Sequence, residues 1–469
     1  MMTLFDDFRL HLTGHVFVDV GIFVCMAHVN KKRVEDVTYD DLLSLANFLK
    51  GLYCDYDAMT LFLNNNSFFN TRFRTSKKPE DRYTYAEEVL MAFQRDVFWG
   101  NDEACVFFPE LKAQIVAHRQ YIPLLNGDDV KNFYPKGRGG LPISGLASLL
   151  IHAMPLGCYK MKSRLLTFQQ HDPNGQSSFA RIVIREIYTY NMKAISLLQK
   201  SGLDKLPDYG QYAKTRYIEA LIATKSKADS RAVPLGGLTG YFFSNNGKAP
   251  ALDIFRLSNE VAQFIDVAQQ DYSNDWGLAT KKSWIQFKKG KNDDNDLEYA
   301  VMKNALYEGL FDLPYNAYKF LKLLFSSQSW GLIALFLERI MQMEQERIEV
   351  YRELGDRLAE YALHYENKPL SFYHEFSRND KYDALRRILR RAFVKMLREK
   401  EPQPLFTYDE FIMAFEHPSD TYSQWKLGRD LIGFRMLEHF QQAGLDTSEL
   451  DDEIGTNDQS DDLDEIEVE

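Results

Sequence analysis

The sequence has 469 residues, of which 45% are hydrophobic and 14% aromatic. It is too long for a single hydrophobic core and too apolar for a disordered chain, so we expect two or three globular domains. No run of 18 apolar residues occurs, and residues 1–12 carry Asp6, Asp7 and Arg9 rather than the layout of a signal peptide. We therefore expect a cytoplasmic protein without a membrane partner.

The net charge of −11 is unevenly distributed along the chain. Residues 446–469 contain twelve acidic residues and no Lys or Arg, which predicts a disordered, solvated tail that discourages non-specific association. Without those twelve, 55 acidic residues face 56 basic ones. A nearly neutral body with local basic patches is compatible with contact to DNA or RNA.

The first part of the chain, residues 1–290, alternates helical and strand-like stretches with Gly, Pro and Asn clusters. Helical spacing of apolar residues predicts helices over 39–52 and 177–200, and short β-prone runs predict strands over 164–169 and 239–244. We interpret residues 1–290 as a mixed α/β domain.

From residue 291 the pattern becomes almost entirely helical. Residues 344–365 and 385–397 repeat apolar side chains at i, i+3 and i+4, which is typical of amphipathic helices. The polar stretch 288–296 is a plausible linker. The predicted fold class is therefore α+β, with a mixed α/β N-terminal region, a helical bundle over 291–445 and a disordered acidic tail over 446–469.

Motifs for catalysis are weak or missing. The glycine-rich stretches 137–140 and 236–240 lack the Lys-Ser/Thr pair that a phosphate-binding loop requires. His171-Asp172 could supply metal ligands to a nuclease, but the pair also suits a turn before Pro173. The four cysteines (Cys25, Cys54, Cys105 and Cys158) lie far apart, which favours free thiols. We expect no catalytic residue, no metal and no cofactor.

A polar and basic stretch offers the chemistry of nucleic-acid contact. Its amide side chains can read base edges and its cations can bind phosphates. The residues are Asn64, Asn65 and Asn66 for the bases, and Arg72, Arg74, Lys77 and Lys78 for the phosphates. The alternative is an ordinary solvated loop.

Three groups of segments resemble the large subunit of type I-B CRISPR-associated complexes, in the branch named for a CxxC…CxxC pattern. The first is TGHVFVDVGI at 13–22 with VEDVT at 34–38. The second combines NFYP at 132–135, GRGGLPISGL at 137–146 and MPLG at 154–157. The third is YFFSNNG at 241–247 with LDIF at 252–255. In order and spacing they cover most of residues 12–260.

This sequence departs from the branch at the cysteine pairs. It has Cys105-Val-Phe-Phe108 and Ser144-Gly-Leu-Ala147, so three of the four candidate zinc ligands are missing or poor. We predict that the metal site is lost and that packing has replaced it.

The resemblance implies an RNA-guided DNA-binding subunit rather than an enzyme. Such a protein would sit at the 5′ end of the guide RNA, read the PAM in target double-stranded DNA and start strand separation. Its partners would be the backbone, guide-end and small subunits of the Cascade complex. It would recruit an effector, either a helicase-nuclease or, in transposon-associated systems, transposition proteins. The alternatives are a metal-dependent nuclease and a scaffold that contacts no nucleic acid.

Two further contacts are predicted from the residues. Asn245, Asn246 and Lys248 lie in a glycine-flanked loop that suits close backbone approach, although Asn246-Gly247 equally favours a hairpin turn. Residues 381–400 carry eight bases and two acids on an amphipathic helix. Its phosphate-binding candidates are Arg387, Arg390, Arg391 and Lys395, against the alternative of an ordinary charged helix surface. Met341 and Met343 could also start a separate small subunit that begins just before the helix at 344–365, as in type I-B relatives.

Overall fold

The computed structural model describes residues 8–55, 79–94, 103–119, 121–125, 139–170, 178–201, 209–227, 238–244, 251–286, 302–399, 404–417 and 425–446. Its contacts divide the chain into two compact units, one of residues 1–259 and 286–303 and one of residues 260–285 and 304–469. The α+β class is confirmed: small antiparallel sheets lie in the N-terminal half, and the C-terminal region is helical. The predicted linker at 288–296 and the acidic tail beyond residue 446 lie outside the described residues.

The first unit contains helices and short strands in alternation. They are α1 (Val16–His28), α2 (Tyr39–Asp55), α3 (Pro79–Leu90), β1 (Ile115–Ala117), β2 (Leu141–Ile143), α4 (Gly145–Ala153), β3 (Tyr159–Met161), β4 (Arg164–Gln170), α5 (Ser178–Ser201), α6 (Ala213–Lys227), β5 (Leu238–Ser244) and β6 (Ala251–Arg256).

Helix α1 forms the centre of this unit and is buried along almost its whole length. It crosses α4 so closely that a Cβ atom at Gly21 would lie 2.0 Å from the carbonyl oxygen of Leu150. Its first turn is fixed by Asp19, whose carboxylate accepts hydrogen bonds from the Thr13 amide at 2.7 Å and the Gly14 amide at 3.0 Å. Burial raises the pKa of Asp19, although these hydrogen bonds lower it.

The main sheet has the order β3-β4-β5-β6, and all of its neighbouring strands are antiparallel. Both strands predicted from the sequence, β4 and β5, pair here, with Phe168 opposite Gly240. Gly240 is needed because the ring of Tyr217 lies over it, and a Cβ atom would come within 2.6 Å of that ring. Strand β6 is the last in the order, and Leu252 and Ile254 on it are exposed.

The rest of the chain is mostly helical. The remaining elements are α7 (Asn259–Asp271), α8 (Ser273–Lys282), β7 (Trp284–Gln286), β8 (Met302–Asn304), α9 (Ala305–Gly309), α10 (Ala317–Leu324), α11 (Trp330–Arg339), α12 (Gln345–Tyr365), α13 (Pro369–Ser377), α14 (Tyr382–Glu399), α15 (Tyr408–Phe415) and α16 (Trp425–Gln442). Strands β7 and β8 form a two-stranded sheet.

The predicted domain boundary near residue 290 differs from the division that the contacts give. Helices α7 and α8 belong to the helical unit, because Phe264 of α7 packs against Trp276, Phe320 and Phe336. The sequence of α7 has the same periodicity as any surface helix, so nothing local indicates which unit receives its apolar face.

Helix α16 is the core of the second unit. Its residues Leu431, Ile432 and Met436 are buried, and α12, α13 and α15 pack around it. Gly428 permits this packing, because a Cβ atom there would lie 2.2 Å from the carbonyl oxygen of Ala414. None of the described helices in either unit has both the length and the apolar composition needed to cross a bilayer.

Candidate nucleic-acid interface

Of the three predicted nucleic-acid contacts, the described residues include the one on α14. This helix forms because its apolar side chains recur on one side, and Leu385, Ile388, Leu389 and Ala392 are buried there. Asp383 in the first turn and Arg398 in the last turn suit the helix dipole. The arginine side chains of this helix therefore face away from the core, as predicted. They are Arg386, Arg387, Arg390, Arg391 and Arg398.

The four predicted phosphate contacts on α14 divide into two pairs. Arg391 and Lys395 are bound within the helical unit. The Arg391 guanidinium donates two hydrogen bonds to the Glu375 carboxylate, at 3.0 and 2.6 Å, and these bonds raise the pKa of Arg391. Lys395 donates to the carbonyl oxygen of Tyr365 and lies 3.5 Å from Glu366. These two cations attach α14 to α13 and to the end of α12.

Arg387 and Arg390 are different, because both are exposed and no described residue forms an ion pair with either. Arg386 precedes them with its guanidinium 5.7 Å from the ring centroid of Tyr382, and Arg398 follows at the exposed end of the helix. A phosphate could approach these four arginines without displacing a described acidic partner. Since guanidinium groups match phosphate geometry, this face of α14 is a candidate nucleic-acid interface.

Leu397, the last apolar residue of the α14 pattern, is exposed. Its side chain is 58% exposed, and its neighbour Val394 is 37% exposed. The last turns leave the core, where Phe393 still packs on Phe406 at 5.2 Å between ring centroids. Val394 lies on the exposed side together with Arg387, Arg390 and Leu397, since these residues are spaced by three and four positions.

The predicted loop with Asn64, Asn65, Asn66, Arg72, Arg74, Lys77 and Lys78 lies outside the described residues, but its two flanks are described. Helix α2 ends at Asp55 and α3 begins at Pro79, and the two helices pack together. Lys50 lies 2.8 Å from Glu87, and Arg82 donates to the Cys54 carbonyl at 3.0 Å. The end of α2 and the start of α3 therefore lie close together, and Arg82 belongs to this helix pair.

Asn245, Asn246 and Lys248 also lie outside the described residues. The flanking strands β5 and β6 are antiparallel, and their last pair is Ser244 with Ala251. Whether the chain turns at Asn246-Gly247 stays a prediction, because both residues lie outside the described part of the chain. Arg164 joins the two strands, because it stacks on Phe242 at 3.8 Å and lies 2.7 Å from Asp253.

The two segments compared above with zinc-binding cysteine pairs, residues 105–108 and 144–147, are both described. The Val106 amide donates to the Pro142 carbonyl at 3.0 Å, two residues before Ser144. Cys105, Phe108, Ser144 and Ala147 are all buried. The Phe108 ring packs on Phe8 at 5.6 Å, and the Ser144 hydroxyl caps α4 by accepting from the Ala147 amide. Ordinary packing and capping thus occupy both segments.

A metal centre has no candidate in the described part of the chain. No group of three or more His, Cys, Asp or Glu there could hold a metal ion. All four cysteines are buried free thiols, and burial raises the pKa of Cys25 and of Cys158 to about 12. His171 and Asp172, the candidates for a nuclease, lie outside the described residues. The lack of zinc stays a prediction that elemental analysis of the purified protein checks.

No protein-family model, curated protein or solved structure matches this chain.

Proposed function

We propose that this chain is the large, PAM-recognising subunit of a type I-B CRISPR surveillance complex, and that the exposed face of α14 contacts nucleic acid there. The observation that carries the proposal is the pair Arg387 and Arg390, exposed on a well-formed helix without an acidic partner among the described residues. Cations left without partners on a rigid helix suit a surface that binds phosphates.

Two further features support the proposal. Residues 105–108 and 144–147 resemble a zinc-binding pair of motifs, and the Val106 amide of the first segment donates to the carbonyl of Pro142, two residues before the second. The loop at 56–78 is anchored at both ends by α2 and α3. Binding loops on a rigid support are common in proteins.

The proposed division of labour requires no catalytic residue in this chain. Base pairing with the guide RNA selects the target sequence, while the protein reads a short duplex motif and holds backbone phosphates. The loop with Asn64, Asn65 and Asn66 would read base edges, and α14 would bind phosphates without sequence preference. Recruitment of a helicase-nuclease or of transposition proteins would follow strand separation.

The experiment is to express the chain together with a guide RNA and the backbone, guide-end and small subunits, and to purify the complex. It is then incubated with target duplexes whose flanking bases are randomised, and the bound fraction is sequenced. We expect the chain to co-purify with guide RNA and one flanking motif to be enriched. A chain that never assembles, or a bound fraction without enrichment, would contradict the proposal.

The role of α14 is tested in the same complex with Arg387→Ala and Arg390→Ala together. We expect roughly tenfold weaker binding at low salt and a slope of log affinity against log salt that falls by about two, because two phosphate contacts are lost. The control is Arg352→Ala with Lys368→Ala, which removes two charges from α12 and the start of α13. An effect of equal size in the control would leave α14 without a specific role.

The loop at 64–78 is tested separately. Replacing Arg72, Arg74, Lys77 and Lys78 by Ala should weaken binding to all targets and flatten the salt dependence. Replacing Asn64, Asn65 and Asn66 by Ala should instead relax the enriched flanking motif. A salt slope and motif identical to those of the parent complex would remove this loop from the interface.

A further inference from the structure

The exposed face of α14 combines two chemistries that a phosphate backbone does not need together. Arg387 and Arg390 share it with Val394, which is 37% exposed, and Leu397, which is 58% exposed. Phosphates would engage the arginines but leave both aliphatic side chains in water. A peptide that carries carboxylates and aliphatic side chains would engage all four residues, and the apolar contacts would add to the charge attraction.

This chain contains such a peptide. The acidic segment 447–469 has eleven acidic residues and no base, with Leu450, Ile454, Leu463, Ile466 and Val468 between them. Its last nine residues, DDLDEIEVE, place six acids around three aliphatic residues. An acidic tail that served only to increase solubility would not require these aliphatic residues.

The fold attaches this segment to the unit that contains α14. The last turn of α16 packs on α13, where Phe440 lies 6.5 Å from Tyr373 between ring centroids. Two residues further along α13, Glu375 binds Arg391 of α14. The described chain ends at Asp446, in the same helical unit as α14. The 23 residues of the acidic segment span up to roughly 75 Å when extended and about 26 Å as a flexible chain.

We propose that segment 447–469 docks on the face of α14 formed by Arg387, Arg390, Val394 and Leu397. Attachment to the same chain gives the segment an effective concentration on the order of millimolar, so even weak contacts would keep the face occupied. Nucleic acid must then displace the segment before it binds. This consequence rests on the proposed function, whereas the docking itself does not.

The docking is tested with a fluorescent peptide of residues 447–469 and the protein shortened to residues 1–446. Anisotropy titration should show saturable binding of the peptide, and the affinity should fall as the salt concentration rises. Arg387→Ala and Arg390→Ala together should weaken the affinity about tenfold. A second peptide with Leu463, Ile466 and Val468 replaced by Ser keeps every charge and should bind several-fold more weakly. Thermal unfolding of each variant shows that the fold is intact. Equal affinity of both peptides, or no effect of the arginine substitutions, would overturn the inference.

The competition is tested with the whole chain and a mixed-sequence single-stranded DNA of 30 nucleotides. The shortened protein should bind this DNA about tenfold more tightly than the full chain at low salt, and the two arginine substitutions should abolish the difference. Equal DNA affinity of full and shortened proteins would overturn docking within the chain even if the peptide binds when added separately. If neither protein binds DNA but the peptide still binds α14, the nucleic-acid role of α14 fails and the docking stands.

Discussion

The two units use different polar interactions to hold their helices together. In the N-terminal unit, neutral buried side chains donate to backbone carbonyls: Tyr53 binds the carbonyl of His152 at 2.7 Å, and Asn191 binds those of Leu156 and Cys158, both at 2.9 Å. In the helical unit, several pairs of helices are joined by ion pairs, of which the N-terminal unit has a more exposed example in Lys50 and Glu87. Arg435 of α16 binds Asp356 of α12 at 2.7 Å and also Glu438, and Arg357 of α12 binds Glu410 of α15.

The difference follows from the backbone of each unit. Short strands and irregular connections leave carbonyl groups that need donors, so the N-terminal unit satisfies them with buried side chains. Regular helices satisfy their own backbone, so side chains of the second unit are available to pair with one another. The binding features follow the same division: the candidate loops of the first unit lie between elements, whereas the candidate surface of the second is the outside of a helix.

The independence of the second unit gives the largest expected effect. A product starting at Met341 or Met343 would keep α12 whole, since both residues lie between α11 and α12. It would also lose α7 to α11 and expose Phe434, which stacks on Phe325 at 5.1 Å. We therefore expect the fragment 341–446 to lack a cooperative thermal transition that the fragment 260–446 shows by circular dichroism.

The internal start itself is checked by mass spectrometry of the complex expressed from its native gene. A fragment that begins at Met341 or Met343 would show that the product exists and that other subunits stabilise it. If no such fragment occurs, the internal start is wrong, whatever the stability of the isolated helices.

The close helix crossing in the N-terminal unit gives the next effect. Gly21→Ala places a methyl group 2.0 Å from the Leu150 carbonyl oxygen, so α1 and α4 must separate. We expect a loss of about 3 kcal/mol or more in the free energy of unfolding. The control is Gly277→Ala on α8, where nothing lies within 4 Å of the new Cβ atom, and where a gain of about 0.5 to 1 kcal/mol is expected. Similar denaturant midpoints for the two variants would show that the crossing is not tight.

The sequence predicts regular elements well and their assembly poorly. Periodicity locates α2, α5, α12 and α14 to within about three residues, because each helix buries one continuous side. Helix α1 has apolar residues all round and gives no periodic signal, since it is buried on every side. The pairing of β4 with β5 joins residues 68 to 78 positions apart, which no local pattern encodes.

The candidate site shows the same limit. The outward direction of the α14 bases follows from the helical pattern, so it could be predicted. Arg391 binds Glu375, and Lys395 binds the end of α12. These contacts depend on neighbouring helices, so they could not be predicted from the sequence of α14. The exposure of Leu397 has the same origin, because the helix extends past the elements that would have covered it.

One carboxylate in each unit should make the free energy of unfolding depend on pH, with opposite signs. Burial opposes ionisation of Glu410, but hydrogen bonds from Arg357 and from the Thr407 backbone outweigh it, and the pKa of Glu410 is lowered. A lowered pKa in the folded state adds stability above the ordinary value of about 4.3, and this stability is lost as pH falls through the lower pKa. Asp19 in the N-terminal unit has a raised pKa, so it contributes the opposite trend.

The variant Glu410→Gln isolates this effect, because Gln can keep the capping box with Thr407 while it loses the ion pair with Arg357. We expect the variant to be about 1 kcal/mol less stable than the parent at pH 7 and the gap to close below about pH 4. The measurement is denaturant unfolding from pH 7 to pH 3. A gap that stays constant over this range would show that the charge of Glu410 contributes nothing.

The smallest effect on the free energy of unfolding is expected at Leu397, which is exposed on α14. Leu397→Ser on the exposed side of α14 should change the free energy of unfolding by less than about 0.5 kcal/mol, because the side chain is already 58% exposed. Leu389→Ala on the buried side of the same helix should cost about 2 to 5 kcal/mol, since that side chain is 2% exposed. Chemical denaturation of both variants gives the comparison, and equal losses would mean that Leu397 is covered in solution. A side chain that contributes almost nothing to folding, yet keeps an aliphatic surface on the same side of the helix as Arg387 and Arg390, is best explained by contact with something other than this fold. For that reason, the same Leu397→Ser protein should bind the acidic peptide several-fold more weakly while it unfolds like the parent.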